Sequence, residues 1–196
     1  IDNLNIKKGN HLILFSSAII YTNPNSPYGK RKLKLEKIYE EYSKKNSVNL
    51  TIFRLFNTYG KYQIPYKQGS LIANIFYNYI NNIPIEINDI NTKRDFIYAK
   101  DIGKFIKYCI ENRFYGKTDL AAEKLITIKE LLLIIQKKIL SNQIKLINKH
   151  LIEKNICPQA NNILIDKISL TSLEKGLFET FSFYSKNKDI VKNYLK

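Results

Sequence analysis

Methionine and tryptophan are absent from this 196-residue chain, and glycine, proline and cysteine number only seven, five and two. The two cysteines, Cys109 and Cys157, make no metal-binding spacing and read as isolated reduced thiols of a cytoplasmic protein. No apolar run approaches the length of about eighteen residues that a membrane span needs, and the N-terminus carries no signal-like pattern, so neither a membrane protein nor a secreted one is expected. The glycines are scattered, and nowhere do they form the Gly-rich strand-to-helix turn that cradles a phosphate. Without methionine no residue can be the translation start, and the expectation is a fragment of a longer protein, or a relic of one. Acidic side chains are also scarce, 17 against 32 basic ones, for a formal charge of +15. Such a charge ordinarily suggests nucleic acid, but the basic residues are nearly all lysines spread along the chain beside isoleucine and asparagine. No helix-turn-helix, zinc finger or aromatic RNA-binding signature focuses them, so nucleic acid is not the expected partner.

What is present centres on Ser26-Pro27-Tyr28-Gly29-Lys30-Arg31-Lys32, with Ser16-Ser17 a short way upstream. If a helix begins near Tyr28 and runs through Leu33, Leu35, Ile38 and Tyr42, then Tyr28 and Lys32 lie one turn apart on one face. An ammonium held near a phenol favours the phenolate and draws its pKa down from about 10, toward the range useful for general acid or base work. A serine at a strand end could hydrogen-bond the same substrate oxygen. The other reading of these three is ordinary strand-end and helix residues, since tyrosine and lysine are both abundant.

The periodicity predicts a strand over 11–16, a loop over 22–27, a helix over 28–45 and a strand over 49–56. Strand, crossover helix and strand form the parallel unit of an α/β fold. Further helices are expected over 70–81, 101–111 and 128–140, with strands over 83–87 and 118–121. Residues 143–147 and 162–165 look extended.

The segments FSSAIIY (15–21), SPYGKRKLKLEKI (26–38), FRLFNTYG (53–60) and RDFIYAKDI (94–102) occur in an order that resembles the extended short-chain dehydrogenase/reductase family, in its nucleotide-sugar epimerase and dehydratase branch. The likeness continues through YGKTDLAAEKLITIKELLLII (115–135) and SLTSLEKGLFETFSFY (169–184). It implies the C-terminal part of a doubly wound Rossmann-type parallel sheet plus a small α+β substrate-binding domain. Residues 1–60 would belong to an incomplete NAD-binding domain and 61–196 mainly to the substrate domain, with 95–125 returning to the Rossmann sheet. The Gly-rich opening of the family is missing, so NAD binding by this stretch alone is expected to be poor.

The resemblance also implies roles. Tyr28 would be the catalytic acid or base, Lys32 would contact the cofactor ribose, and Ser17 would bond the reacting hydroxyl or carbonyl. Phe56 would lie by the nicotinamide and Asn57 by the substrate, the alternatives being a core side chain and a turn cap. Arg94 would grip the substrate diphosphate, or else pair on the surface with Asp95 or Asp101. A nucleoside-diphosphate sugar is then the substrate, which the positive charge suits, and a homodimer through the 28–45 helix is the expected assembly. Ser17-Ala18-Ile19 lacks the Asp-Glu pair with which 4,6-dehydratases eliminate water, favouring an epimerase over a dehydratase or reductase. Other departures point toward weaker substrate grip or a catalytically inactive, binding or dimerising remnant. Ile20-Tyr21-Thr22 stands for Val-Tyr-Gly, the loop before Tyr28 is short, and Asn88-Asp89-Ile90-Asn91 replaces a Gly-Asp-Gly turn. An arginine near Pro158 is absent, and Asp119 replaces an asparagine.

Overall fold

The computed structural model describes residues 6–66, 71–151 and 157–188. It is a mixed α/β protein built on parallel pairing. The first apolar run forms β1 (His11–Ser17), which continues into the single turn α1 (Ile19–Thr22). Helix α2 (Pro27–Asn46) crosses over to β2 (Asn49–Leu55), which lies parallel to β1 with Phe15 opposite Phe53 and Ser17 opposite Leu55. On the other side of β2 lies β6 (Gly116–Leu120), also parallel, giving the order β1-β2-β6.

Local chemistry fixes where α2 starts. Ser26 caps it, its Oγ accepting the Gly29 N–H at 3.0 Å, and Pro27 occupies the first turn, where a missing N–H costs nothing. Gly29 is there because of a close approach: a Cβ at this position would sit 2.4 Å from the carbonyl oxygen of Asn23 and 2.8 Å from that of Pro24. The helix ends at Ser47, in the left-handed conformation with φ of 51°.

Beyond Leu55 the chain changes sheets. The Phe56 N–H donates to the Leu120 carbonyl at 3.1 Å, still on the first sheet, and Asn57 opens β3 (Asn57–Tyr59). A second sheet has the order β3-β5-β7: β5 (Lys93–Tyr98) runs parallel to β3 and antiparallel to β7 (Leu125–Thr127). Helix α3 (Leu71–Ile80) leads to β4 (Ile85–Ile87), which pairs in parallel with β8 (Leu146–Asn148). Helix α4 (Ala99–Glu111) follows β5 directly. α5 (Ile128–Lys138) starts on a reciprocal cap in which Thr127 and Glu130 satisfy each other's N–H groups, and α6 (Leu173–Lys186) closes the described chain.

Two cores result. Phe53, Ile97, Phe105, Cys109 and Leu120 pack between the first sheet and α4. A larger cluster, including Ile72, Phe76, Ile87, Phe96, Leu131, Ile135, Leu177 and Tyr184, joins α3, α5 and α6 to the second sheet. Asp101, buried in the first turn of α4, ties that helix to the segment leading into α6 by accepting the N–H and hydroxyl of Thr171 at 2.9 and 2.8 Å.

The sequence periodicity located the long elements as far as α5, while α6 was indicated only by the family likeness of 169–184. The periodicity missed α1, β3, β5 and β7, all six residues or fewer, and it placed an extended segment at 162–165 where none exists. There Asn162 turns the chain, its Oδ1 accepting the Leu164 N–H at 3.2 Å, and a 3-10 turn follows at Ile165–Lys167. The expected strand at 143–147 begins only at Leu146. No helix among the described residues is long and apolar enough to cross a membrane.

Candidate functional site

A cleft of about 830 Å³ opens where β1 and β2 end and β3 begins. Carboxyl ends of parallel strands are where α/β folds bind ligands, because the diverging connections leave a crevice there. The six residues singled out from the sequence, Ser17, Tyr28, Lys32, Phe56, Asn57 and Arg94, all line it.

Each arrives by its own local cause. Ser17 is the last residue of β1, and its Oγ accepts the Ile19 N–H at 3.3 Å as the chain turns into α1. Tyr28 and Lys32 stand one turn apart at the start of α2, with the Lys32 Nζ 5.6 Å from the centre of the Tyr28 ring. The same ammonium donates to the Phe15 carbonyl at 2.8 Å, fastening the helix to β1 beside Ser17. Arg31 also approaches the Tyr28 ring, at 6.0 Å, so this phenol sits in a cationic setting.

Phe56 and Asn57 form the floor, where the sheets part. Phe56 is 7% exposed, so the core reading and the cleft-lining reading hold together. The Asn57 Nδ2 donates to the Asp95 carbonyl at 3.1 Å, bracing β3 against β5. Arg94 reaches the cleft from β5, its Nη1 donating to the Lys93 carbonyl at 3.1 Å. The acids proposed as its surface partners are engaged elsewhere. Asp95 accepts the Ala122 and Lys124 N–H groups at 2.8 and 3.1 Å, and Asp101 takes Lys104 and Thr171. Burial lifts the Asp95 carboxyl to about 6, against the pull of those two N–H groups.

The cleft lining also contains residues to which the sequence reading gave no site role: Gln63, Asn74, Asn88 and Cys157. Gln63 and Asn74 carry no mark in local sequence, since they come from a loop and a helix face that tertiary packing brings to the cleft. A second omission carried a signal. Arg54 interrupts the apolar strand NLTIFRL, and a charge in such a setting demands a partner. It finds Glu36, the next residue on the Tyr28–Lys32 stripe, through a two-pronged contact at 3.1 and 2.8 Å. Asp119, noted only as a departure, takes the Tyr21 hydroxyl and the Asn161 N–H, both at 2.8 Å.

The cleft suits one end of a dinucleotide better than the other. Lys32, Tyr28 and Ser17 could meet a ribose and nicotinamide near Phe56, but no Gly-rich strand-turn-helix that would grip the pyrophosphate occurs among the described residues.

Residues 13–120, more than half the chain, match the model of the NAD dependent epimerase/dehydratase family. A stretch of 84 residues is 36% identical to the "Putative UDP-glucose 4-epimerase" of Methanocaldococcus jannaschii, covering 42% of this chain and 27% of that protein. The fold is similar to the UDP-N-acetylglucosamine 4-epimerase of Methanobrevibacter ruminantium, at 24% identity and a TM-score of 0.75 over 90% of this chain and 63% of that one. It is also similar to the UDP-glucuronic acid 4-epimerase of Bacillus cereus, at 20% identity and a TM-score of 0.79 over 93% of this chain and 63% of that one. At such identities the two structures speak for the fold, and this chain spans less than two thirds of their length.

Proposed function

We propose that this chain, which belongs to the NAD dependent epimerase/dehydratase family and so to the extended short-chain dehydrogenases/reductases, carries the proton-transfer site of a nucleoside-diphosphate-sugar 4-epimerase. The observation that carries the reading is the convergence of Ser17, Tyr28, Lys32, Phe56, Asn57 and Arg94 on one cleft at the strand ends. They come from β1, α2, β3 and β5 and from the junction between β2 and β3. A group of unrelated surface residues has no reason to meet there.

In this reading the Tyr28 oxygen acts as a phenolate that takes the proton of the sugar hydroxyl as the alcohol becomes a carbonyl, and the resulting phenol returns it when the alcohol re-forms. NAD would supply the hydride acceptor for that carbon, and inversion would follow from return of the hydride to the opposite face of the carbonyl. The Lys32 ammonium contacts the cofactor ribose beside the phenol, and Ser17 donates to the same oxygen as charge builds there. Arg94 grips the diphosphate, for which a planar guanidinium offers two parallel donors. Ala18-Ile19 following Ser17 leaves no carboxylate there to drive elimination, which favours epimerisation over the dehydration performed by other relatives.

The dimer proposed through α2 is supported by Leu35 and Ile38, one turn apart on the outer face of that helix and each 38% exposed. Calorimetric titration of the full chain tests the binding half of the proposal. UDP-glucose should saturate the cleft in the micromolar range and NAD should bind more weakly, for want of a pyrophosphate turn. No heat with either ligand would sink it.

A further inference from the structure

A guanidinium in the second strand connects both arms of the candidate site. Arg54 lies on the face of β2 turned toward α2, its side chain 20% exposed. Its Nε and Nη2 donate to the two oxygens of Glu36, while Nη1 donates to the Tyr21 hydroxyl at 2.7 Å. Glu36 is 3% exposed and belongs to the stripe of α2 that carries Tyr28 and Lys32, at spacings of four and eight residues. Tyr21 belongs to α1, whose first N–H bonds the Ser17 hydroxyl. From Tyr21 the chain of bonds goes on to Asp119 of β6 and the Asn161 N–H.

We propose that Arg54 is a positioning residue that sets the spacing between Ser17 and the Tyr28–Lys32 pair, holding the helix arm through Glu36 and the serine arm through Tyr21. The inference rests on the catalytic reading of those three residues, while the joint itself stands on its own geometry. Helix α1 is a single turn with no side-chain cap, so it has little of its own to keep it in place, and the Tyr21 hydroxyl tethers it. Helix α2 is long but meets the sheet through a buried carboxylate, which is costly unless paired. Lys117, at 3.5 Å from Glu36 and 2.5 Å from Glu40, adds charge but no fork. Only a planar group with donors pointing in two directions can serve both arms at once, and lysine cannot replace it.

Hydrogen exchange of the full chain, followed segment by segment, tests this directly. Arg54→Lys should speed exchange by about tenfold in both 19–23 and 28–36, while Ile52 and Leu120 in the sheet keep their protection. Glu36→Gln should loosen chiefly 28–36, and Tyr21→Phe chiefly 19–23. These two variants leave β2 intact, so they decide the matter even where Arg54→Lys fails to fold. Unchanged exchange in both segments, or loosening spread evenly across the sheet, would overturn the proposal. The catalytic reading fails separately. If Arg54→Lys loosens both arms but Tyr28→Phe leaves sugar-nucleotide turnover untouched, the joint stands and the chemistry assigned to the trio falls.

Discussion

The two walls of the cleft are built differently. The wall that holds Ser17, Tyr28 and Lys32 consists of a seven-residue strand end and the first turns of a 20-residue helix, locked by a cap, a close-approach glycine and a buried ion pair. The opposite wall, with Arg94, Asn74, Asn88 and Cys157, is drawn from β5, one side of α3 and the segments after β4 and before 3-10 turn Ile165–Lys167. The first wall fixes a few atoms in relation to each other, as proton transfer requires. The second offers a set of polar groups, two of them, Asn88 and Cys157, outside any strand or helix. Under the proposed function, the first wall would carry the proton transfer and the second the substrate contacts.

Substitutions that injure one wall and spare the other break or sharpen this contrast. The largest effect short of the catalytic groups is expected from Gly29→Ala, whose Cβ would meet two backbone carbonyl oxygens. Urea unfolding should report a loss on the order of 2 kcal/mol or more, since neither oxygen belongs to a flexible side chain. A variant as stable as the parent would mean that the first wall is softer than described. Next comes Arg94→Ala on the second wall. It should weaken UDP-glucose binding by about 10- to 100-fold, the range of a charge-assisted contact, and leave the unfolding curve nearly in place. Equal affinity in calorimetry would remove Arg94 from the site.

A third, smaller effect concerns pH. Asp95 is raised by burial to about 6, above its ordinary value, so between pH 4 and pH 6 the folded state holds a proton that the unfolded chain gives up. Stability should therefore fall as pH rises through this window, on the order of 3 kcal/mol if Asp95 acts alone, and stay low above it. Asp95→Asn should flatten that slope in thermal melts; a slope that persists would assign it to other groups. The smallest effect on the fold is expected from Leu35→Ser with Ile38→Ser. The pair should turn a dimer into a monomer by light scattering with little change in the helix content. A monomer before mutation would dispose of the proposed assembly.

How far the sequence could be read follows the same division. Period and apolar runs gave β1, α2 and β2 within a residue or two, because those elements satisfy themselves locally. Tyr28 and Lys32 were legible for that reason, their one-turn spacing being written in the helix. Elements of three to six residues, β3, β5 and β7, carry too little period to declare themselves and exist because a neighbour pairs with them. Residues 162–165 read as extended from composition, yet Asn162 bends them, its own amide oxygen making the turn. Glu36 and Arg54 show the intermediate case. The oddity of Arg54 was visible, a charge in an apolar strand, but the fact that it meets Glu36 depends on how α2 lies on β2.

The most direct test of the account is the interconversion of UDP-glucose and UDP-galactose by the full chain at saturating NAD, compared with Tyr28→Phe. If Tyr28 is the proton-transfer group of an epimerase, the wild-type chain interconverts the sugars and the variant does so slower by about two to four orders of magnitude, with an unchanged unfolding curve. Equal rates, or no interconversion by the wild-type chain, would contradict the claim that this cleft is an epimerase site.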